Sequence, residues 1–357
     1  MNNVERINRL YQSANNYILI QNPKNRRYLS GFASSDGTLL VGEKTYLFLD
    51  FRYTESARIK QKNGLIPKEI EIIMPTKGVL DHVKEILDKN GVNALMFEDD
   101  YTTVRQYNVL KEKLCGIELI PLGGAVNELR RIKSRDELKK IKASQEITDK
   151  AFTHILDFIN PLRTESEIAA EIDHFIALCG ARTAFDTICV SGKKSSLPHG
   201  VPENVRVTQN AFLTMDFGAC LDGYCSDMTR TVVVGKADDK MKNVYNTVLK
   251  AQKAAFDIIK GGVNGKEADA AARDVIYGAG YEGCFGHALG HSLGLDIHEP
   301  PNFSTGNNSP VPSGCVVSVE PGIYIEGLYG VRIEDIVFLT DNGFENLTHS
   351  TKELIEI

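Results

Sequence analysis

Apolar and polar residues alternate in short runs along the first 125 residues, and this pattern predicts an α/β domain. Three runs rich in β-branched and aromatic residues are typical of strands. They lie at residues 46–51, 70–74 and 94–97. Apolar residues at helical spacing predict helices near residues 78–89 and 102–114. We therefore expect strands and helices to alternate in a first domain, residues 1–125.

Two capping-box sequences open a second domain, which we expect at residues 126–357. Ser134-Arg-Asp-Glu137 precedes a long stretch with one apolar face, and Pro161 ends it. Thr164-Glu-Ser-Glu167 predicts the start of the next helix in the same way. The second domain therefore begins with two consecutive helices.

The order of two helices followed by strands occurs twice in this second domain. After the first two helices, the pattern predicts strands, then two further helices, then strands again. These segments lie at about 184–190, 205–235, 238–260, 265–278 and 295–340. Such an order is typical of an internal duplication, in which each half supplies one face of a cleft.

Two aspartates fall on a predicted hairpin of the first half. The dipeptide Asp222-Gly223 suits a two-residue turn, because both central positions need a positive φ. With this turn residue 218 lies opposite residue 227, so Asp216 and Asp227 are diagonal neighbours on one face, roughly 7–8 Å apart between Cα atoms. Carboxylates this close need a shared proton or a cation, although either aspartate alone is more typical of a solvated residue.

Two glutamates fall on a predicted hairpin of the second half in the same manner. A turn centred on Gly327 pairs Glu320 with Glu334, whereas a turn centred on Leu328 makes them diagonal neighbours. Both registers keep the two glutamates on one face of the sheet. The two hairpins therefore supply four carboxylates in two pairs.

Between these hairpins lies a segment rich in glycine and histidine, Gly286 to Pro300, which holds three of the eight histidines. Its glycines predict an open loop or bent strand in place of a helix. Four carboxylates and an imidazole suit Mn(II), Fe(II), Co(II) or Zn(II), and the excess of oxygen favours the harder ions. Two ions that share a water can generate a nucleophile at neutral pH, which points to metal-assisted hydrolysis.

The amino-acid composition says more about the binding partners of the protein than about the reaction it catalyses. The chain has 357 residues, 42% hydrophobic and 25% charged, with a net charge of -6 from 41 basic and 47 acidic residues. The interspersed charges argue against nucleic acid or an anionic membrane as the main partner. The polar start and the lack of a long apolar run predict a cytoplasmic protein. Seven cysteines without a CxxC pair predict neither a disulfide framework nor a zinc ribbon.

These motifs together resemble the creatinase/aminopeptidase family with the pita-bread fold, in its Xaa-Pro branch. The resemblance rests on five segments that appear in the family's order. They are Asp216-Phe-Gly, Ser226-Asp-Met-Thr-Arg-Thr231, Gly286-His287 through Pro301, Val319-Glu-Pro-Gly-Ile-Tyr324 and Val331-Arg-Ile-Glu-Asp335. The resemblance implies an α+β protein: a pita-bread catalytic domain preceded by a smaller α/β creatinase-like domain.

The resemblance also implies a role for each candidate residue. Asp216 would chelate one ion, Asp227 and Glu334 would bridge, and His291 and Glu320 would bind the second ion. Glu320 would also handle the proton of the bridging water. The other histidines would bind substrate and stabilise the tetrahedral intermediate: His199, His287 and His298. Arg332 would hold Glu320 or Asp227, contact a substrate carboxylate, or form a plain structural ion pair.

We therefore expect a dinuclear metallopeptidase, with Mn(II) as the ion by family likeness and Co(II), Zn(II) or Fe(II) as alternatives. The first hypothesis is an Xaa-Pro aminopeptidase that removes a residue preceding proline in a peptide. The alternative is an Xaa-Pro dipeptidase, or prolidase, and a third hypothesis is a non-catalytic peptide-binding protein on the same fold. The expected partners are proline-containing peptides or dipeptides and, by the same likeness, a second copy in a homodimer.

Overall fold

The computed structural model describes residues 1–357 and divides them into two compact units, Met1–Arg130 and Arg131–Ile357. A short helix, Ala125–Arg131, spans the division. None of the helices is long and apolar enough to cross a membrane. Each unit has its own buried hydrophobic clusters.

The first unit is built on one mixed sheet of six strands in the order β4-β3-β2-β1-β5-β6. Its strands are β1 (Tyr17–Ile20), β2 (Thr38–Val41), β3 (Thr45–Phe48), β4 (Ile70–Ile73), β5 (Ala94–Phe97) and β6 (Glu118–Pro121). Its helices are α1 (Asn3–Ala14), α2 (Pro23–Ser30), α3 (Phe51–Lys62), α4 (Val79–Lys89), α5 (Val104–Lys113) and α6 (Ala125–Arg131). The predicted strands appear as β3, β4 and β5, and the predicted helices as α4 and α5.

The second unit begins with the two predicted helices, both opened by capping boxes. Ser134 accepts a hydrogen bond from the backbone N–H of Glu137, and Thr164 accepts one from Glu167. The four long helices of this unit are α7 (Arg135–Phe158), α8 (Glu165–Leu178), α9 (Asp239–Phe256) and α10 (Gly265–Gly278). The pair α7 and α8 precedes one set of strands, and the pair α9 and α10 precedes another.

The strands of the second unit form five small sheets. Those of the first half are β7 (Arg182–Thr183), β8 (Ile188–Ser191), β9 (Ala211–Phe217), β10 (Ala219–Leu221), β11 (Tyr224–Cys225) and β12 (Met228–Val234). Those of the second half are β13 (Val263–Asn264), β14 (Gly290–Ser292), β15 (Glu299–Phe303), β16 (Pro310–Val311), β17 (Val316–Val319), β18 (Gly322–Ile325), β19 (Tyr329–Arg332), β20 (Asp335–Thr340) and β21 (Gly343–Asn346).

Each helix pair buries the apolar side of its own strands. In the first half, Leu213 and Met215 of β9 pack in one cluster with α7 and α8. In the second half, Val317 and Val319 of β17 pack in another cluster with α9 and α10. Because side chains alternate along a strand, the residues between them point to the opposite side. That side of each half carries the predicted carboxylates.

Candidate metal centre and substrate cavity

The first hairpin has the predicted turn and register. Asp222 and Gly223 have φ values of 48° and 75°, and Leu221 pairs with Tyr224. Along the same hairpin Phe217 pairs with Met228, so position 218 lies opposite Asp227. Asp216 therefore stands diagonally from Asp227 on one face, as predicted.

This hairpin changes sheet where the aspartates lie. Its base, β9 with β12, belongs to the sheet β12-β9-β8, whereas its tip, β10 with β11, belongs to the sheet β11-β10-β7. Asp227 lies between β11 and β12, and Asp216 is the last residue but one of β9. At the junction a Cβ on Gly218 would lie 2.0 Å from the carbonyl oxygen of Ser226, so only glycine permits this close approach.

The second hairpin repeats this construction with the two glutamates. Its tip pairs Ile325 with Tyr329 around Gly327, and its base pairs Val319 with Asp335. Both ladders share one register, in which Glu320 stands opposite Glu334; this is the first of the two registers considered from the sequence. The glutamates lie where the hairpin passes from the five-stranded sheet to the two-stranded sheet β18-β19.

The glycine and histidine segment forms an open loop and the bent strand β14, as predicted. A bulge separates His291 from Ser292, and the His291 Nε2 atom points at both carboxylate pairs. It lies 3.6 Å from Asp227 Oδ2 and 3.4 Å from Glu320 Oε1. Potential ligand atoms of Asp227, His291 and Glu334 all lie within 4.8 Å of one another. The structure thus brings both hairpins and the histidine to one place.

Crowding of carboxylates shifts their protonation. Burial, followed by the charges of Asp216 and Glu320, raises the pKa of Asp227 well above its usual range. Burial and the charge of Asp227 raise the pKa of Glu334 well above its usual range. Burial also raises the pKa of Glu320. Cations would relieve this repulsion.

Arg332 is the cation that the chain itself places beside this cluster. Its Nη2 atom lies 2.6 Å from Asp216 Oδ2, so its ion-pair partner is Asp216 and not Glu320 or Asp227, the two partners considered from the sequence. Its other donors bind Thr229 Oγ1 at 2.9 Å, Tyr324 Oη at 2.8 Å and the Pro198 carbonyl oxygen at 3.3 Å. The guanidinium is therefore held by protein acceptors.

Two buried carboxylate oxygens have no hydrogen-bond partner, Asp216 Oδ1 and Glu334 Oε1. An unpaired buried carboxylate oxygen is costly unless a cation binds it. The four carboxylates and His291 together match the donor preferences of divalent transition metals. These residues fit the divalent metal ions on which the predicted chemistry depends.

A cavity of about 430 Å³ opens onto the cluster, a volume typical of small-ligand sites. All nine candidate residues from the sequence line it: His199, Asp216, Asp227, His287, His291, His298, Glu320, Arg332 and Glu334. His199 and His298 are exposed at its mouth, whereas His287 lies deeper. Burial lowers the pKa values of His287 and His298, so both imidazoles are neutral at neutral pH.

His287 does not point a free nitrogen into this cavity. Its Nε2 atom lies 2.8 Å from the Tyr324 hydroxyl, and its Nδ1 atom lies 2.8 Å from the carbonyl oxygen of Ala288. The Tyr324 hydroxyl also accepts a hydrogen bond from Arg332. A network therefore runs from Asp216 through Arg332 and Tyr324 to His287.

The sequence analysis did not single out several residues that complete the site. Thr229 donates to Glu334 Oε2 at 2.7 Å, and Ser318 donates to Glu320 Oε1 at 2.9 Å. Both lie two residues from a candidate ligand on the same strand face, a spacing that could have revealed them. The apolar part of the cavity wall is contributed by Phe185, Ile188, Pro198, Ala288 and Ile297.

A helix-backed catalytic unit whose two hairpins gather four carboxylates and a histidine defines a metallopeptidase of the pita-bread class. The sequence of residues 139–341 matches the family described as Metallopeptidase family M24. The sequence of residues 7–132 matches the Creatinase/Prolidase N-terminal domain. The chain belongs to metallopeptidase family M24. The resemblance and the fold predicted from the sequence are confirmed.

Similar proteins match over almost the full length. The Xaa-Pro dipeptidase of Pyrococcus furiosus is 35% identical over 341 residues, which are 95% of this chain and 94% of the relative. The solved Xaa-Pro dipeptidase from Bacillus anthracis has a TM-score of 0.95 and 40% identity, with all of both chains covered. The X-Pro aminopeptidase from Thermotoga maritima has a TM-score of 0.90 and 34% identity, with 96% and 97% covered.

Proposed function

We propose that this metallopeptidase is an Xaa-Pro dipeptidase, which hydrolyses the bond between one residue and a C-terminal proline. The full-length similarity to the dipeptidases of Bacillus anthracis and Pyrococcus furiosus carries this proposal. It reverses the order of the sequence analysis, which placed the aminopeptidase first. Membership of a metallopeptidase family with the candidate ligands in place disfavours the third hypothesis, a non-catalytic binding protein.

The proposed substrate explains the need for a dedicated enzyme. The bond before proline is a tertiary amide without an N–H, and the proline ring restricts its geometry. Peptidases that bind an extended substrate backbone therefore find no N–H donor on the substrate at this position. A cavity with an apolar wall beside a cluster of carboxylates suits a proline ring next to the scissile bond.

We propose that Asp216, Asp227, His291, Glu320 and Glu334 would hold two divalent ions. When bound, such ions lower the pKa of a shared water and polarise the substrate carbonyl. The oxygen-rich donor set favours Mn(II), with Co(II), Zn(II) and Fe(II) as alternatives. The homodimer and the cytoplasmic location stay predictions of the sequence.

Glu320 is the proposed proton carrier. Ser318 Oγ binds its Oε1 atom and fixes the carboxylate, and the backbone N–H of Glu320 donates to Leu289 O at 2.8 Å. A carboxylate fixed in this way can take a proton from the attacking water and pass it to the proline nitrogen that leaves. His287 can donate to the tetrahedral intermediate only by exchanging one of its present hydrogen bonds.

His199 and His298 are the proposed ligands of the substrate carboxylate. Both line the mouth of the cavity, and neither forms a hydrogen bond with the protein. Arg332 is already bound to Asp216, Thr229 and Tyr324, so we place it as a positioning residue toward Asp216. The N–H groups of these two imidazoles can therefore donate hydrogen bonds to the carboxylate.

The test compares four substrates on metal-stripped protein reloaded with Mn(II): Xaa-Pro, its C-terminal amide, Xaa-Pro-Xaa and Xaa-Ala. A dipeptidase cleaves Xaa-Pro and loses most of its kcat/KM on the other three. Comparable cleavage of the tripeptide would establish an aminopeptidase instead. Failure to cleave any proline substrate with Mn(II), Co(II), Zn(II) or Fe(II) would overturn both functions.

A further inference from the structure

A buried ion pair on α10 holds the loop that carries His287. Asp269 is fully buried, and Arg273 follows it one helical turn later. Arg273 binds both carboxylate oxygens, with Nε 2.7 Å from Asp269 Oδ2 and Nη2 2.9 Å from Oδ1. This two-point geometry fixes the plane of the guanidinium.

The guanidinium also donates to two carbonyl groups of the loop. Nη1 lies 2.5 Å from the carbonyl oxygen of Phe285, and Nη2 lies 2.9 Å from that of His287. The guanidinium carbon of Arg273 lies 4.2 Å from the centre of the Phe285 ring. Arg273 therefore fixes the main chain on both sides of Gly286, whose glycine would otherwise leave the loop conformationally free.

The carboxylate of the pair fixes the far end of the same loop. Asp269 Oδ1 accepts the backbone N–H of Leu289 at 3.0 Å. The carbonyl of Leu289 in turn accepts the backbone N–H of Glu320 at 2.8 Å. A single residue, Leu289, thus links the Asp269 carboxylate to the main chain of the proposed proton carrier.

We propose that Asp269 and Arg273 form a positioning pair that sets both His287 and Glu320 for catalysis. Neither residue lines the cavity, so the pair acts through the loop 285–289 and not on the substrate. This role rests on the proposed function, because it assigns a catalytic purpose to His287 and Glu320. The residue before this loop, Cys284, has a separate contact, because its carbonyl oxygen accepts the backbone N–H of Tyr324 at 2.9 Å. Removing the Asp269–Arg273 pair therefore leaves the start of the loop attached.

The test uses R273Q and R273K in the Mn(II)-loaded enzyme, with R26Q as the matched control. Arg26 is also a buried arginine that donates to loop carbonyls, those of Gln21, Ser34 and Gly37, but it lies in the first unit. R273Q is expected to lower kcat about 10- to 100-fold, because His287 and Glu320 would lose their alignment with the substrate. KM should change by less than about twofold, because alignment acts in the transition state.

R273K should recover part of kcat. A lysine ammonium still pairs with Asp269, but it lacks the planar fork that reaches both carbonyls. R26Q should lower the melting temperature without changing kcat or KM. If R273Q leaves kcat unchanged, or if R273K is no better than R273Q, the positioning role is wrong.

Hydrogen–deuterium exchange supplies a readout that does not depend on activity. R273Q and D269N are expected to speed exchange of peptides that cover residues 285–290, whereas R26Q leaves them unchanged. Unchanged exchange in both variants would overturn the loop attachment. If wild-type protein cleaves no Xaa-Pro substrate, the proposed function fails, and the exchange measurement still decides whether the pair holds the loop.

Discussion

Arg332 and Asp216 form a buried ion pair, with 2.6 Å between Nη2 and Oδ2. The pair offsets one negative charge in a cluster of four carboxylates. Because no lysine or arginine side chain forms an ion pair with Asp227, Glu320 or Glu334, the site keeps an excess of negative charge. This excess is the physical basis for its proposed affinity for divalent ions.

Replacing Arg332 by methionine should destabilise the metal-free protein by about 3–5 kcal/mol, because it leaves a buried charge uncompensated. Added Mn(II) should restore part of the loss, since cations then offset the carboxylates. Urea unfolding with chelator and with Mn(II) measures both effects. The exposed arginine variant R52M is the control and should change stability little; an equally small effect of R332M would contradict the argument.

Replacing Glu320 by glutamine should abolish most Xaa-Pro hydrolysis while the fold is retained. Loss of a proton carrier typically lowers kcat by about 100- to 10,000-fold. Glu326 lies exposed in the turn of the same hairpin, so E326Q is a matched control that should keep the wild-type rate. Circular dichroism checks the fold, and an unchanged rate in E320Q would remove Glu320 from the mechanism.

The D227N variant should make the metal-free protein more stable at high pH. The folded pKa of Asp227 is raised above its ordinary 3.8, so its contribution to stability is largest at low pH and is lost as pH rises through the folded pKa. An asparagine has no such loss. The advantage of D227N over wild type in chelator should therefore grow between pH 5 and pH 8, in unfolding curves measured at about those values.

Mn(II) provides the counter-test for Asp227. Wild type should gain stability from Mn(II) at pH 8, where its carboxylates are available as ligands. D227N should gain less, because one proposed metal ligand is missing. Equal gains in the two proteins would contradict the role of Asp227 as a ligand.

Replacing Tyr324 by phenylalanine should remove the link between Arg332 and His287. We expect a loss of stability of about 1–3 kcal/mol, because two buried donors or acceptors lose a partner. We expect kcat to fall by about tenfold or more through the altered alignment of His287. Y329F, in the same hairpin, is the control; equal kinetics for both variants would show that the network has no catalytic role.

The hairpins were the most predictable part of the site. Asp222 and Gly223 define a turn whose register places Asp216 and Asp227 on one face, and the structure has that register. For the second hairpin, the sequence left two registers open, because a loop with a single glycine does not fix its centre. The ladder around Gly327 selects the one in which Glu320 and Glu334 are opposite.

The convergence of separate segments was less predictable. The spacing of Asp269 and Arg273 indicates an ion pair on α10, but nothing in a helical pattern shows which loop that face contacts. Likewise, the sequence analysis considered Glu320 or Asp227 as the carboxylate that Arg332 holds, whereas the structure pairs Arg332 with Asp216. Such contacts depend on how sheets and helices pack, which local periodicity does not encode.

The two hairpins place the carboxylates at junctions between sheets, whereas His199 and His298 are exposed at the mouth of the cavity. Junction residues are fixed by backbone ladders on both sides, and exposed loops tolerate sequence change. Selection can therefore reshape the mouth for new peptides without disturbing the ligands. A single such scaffold can diverge in substrate preference while its hydrolytic chemistry stays constant, which makes the fold readily evolvable.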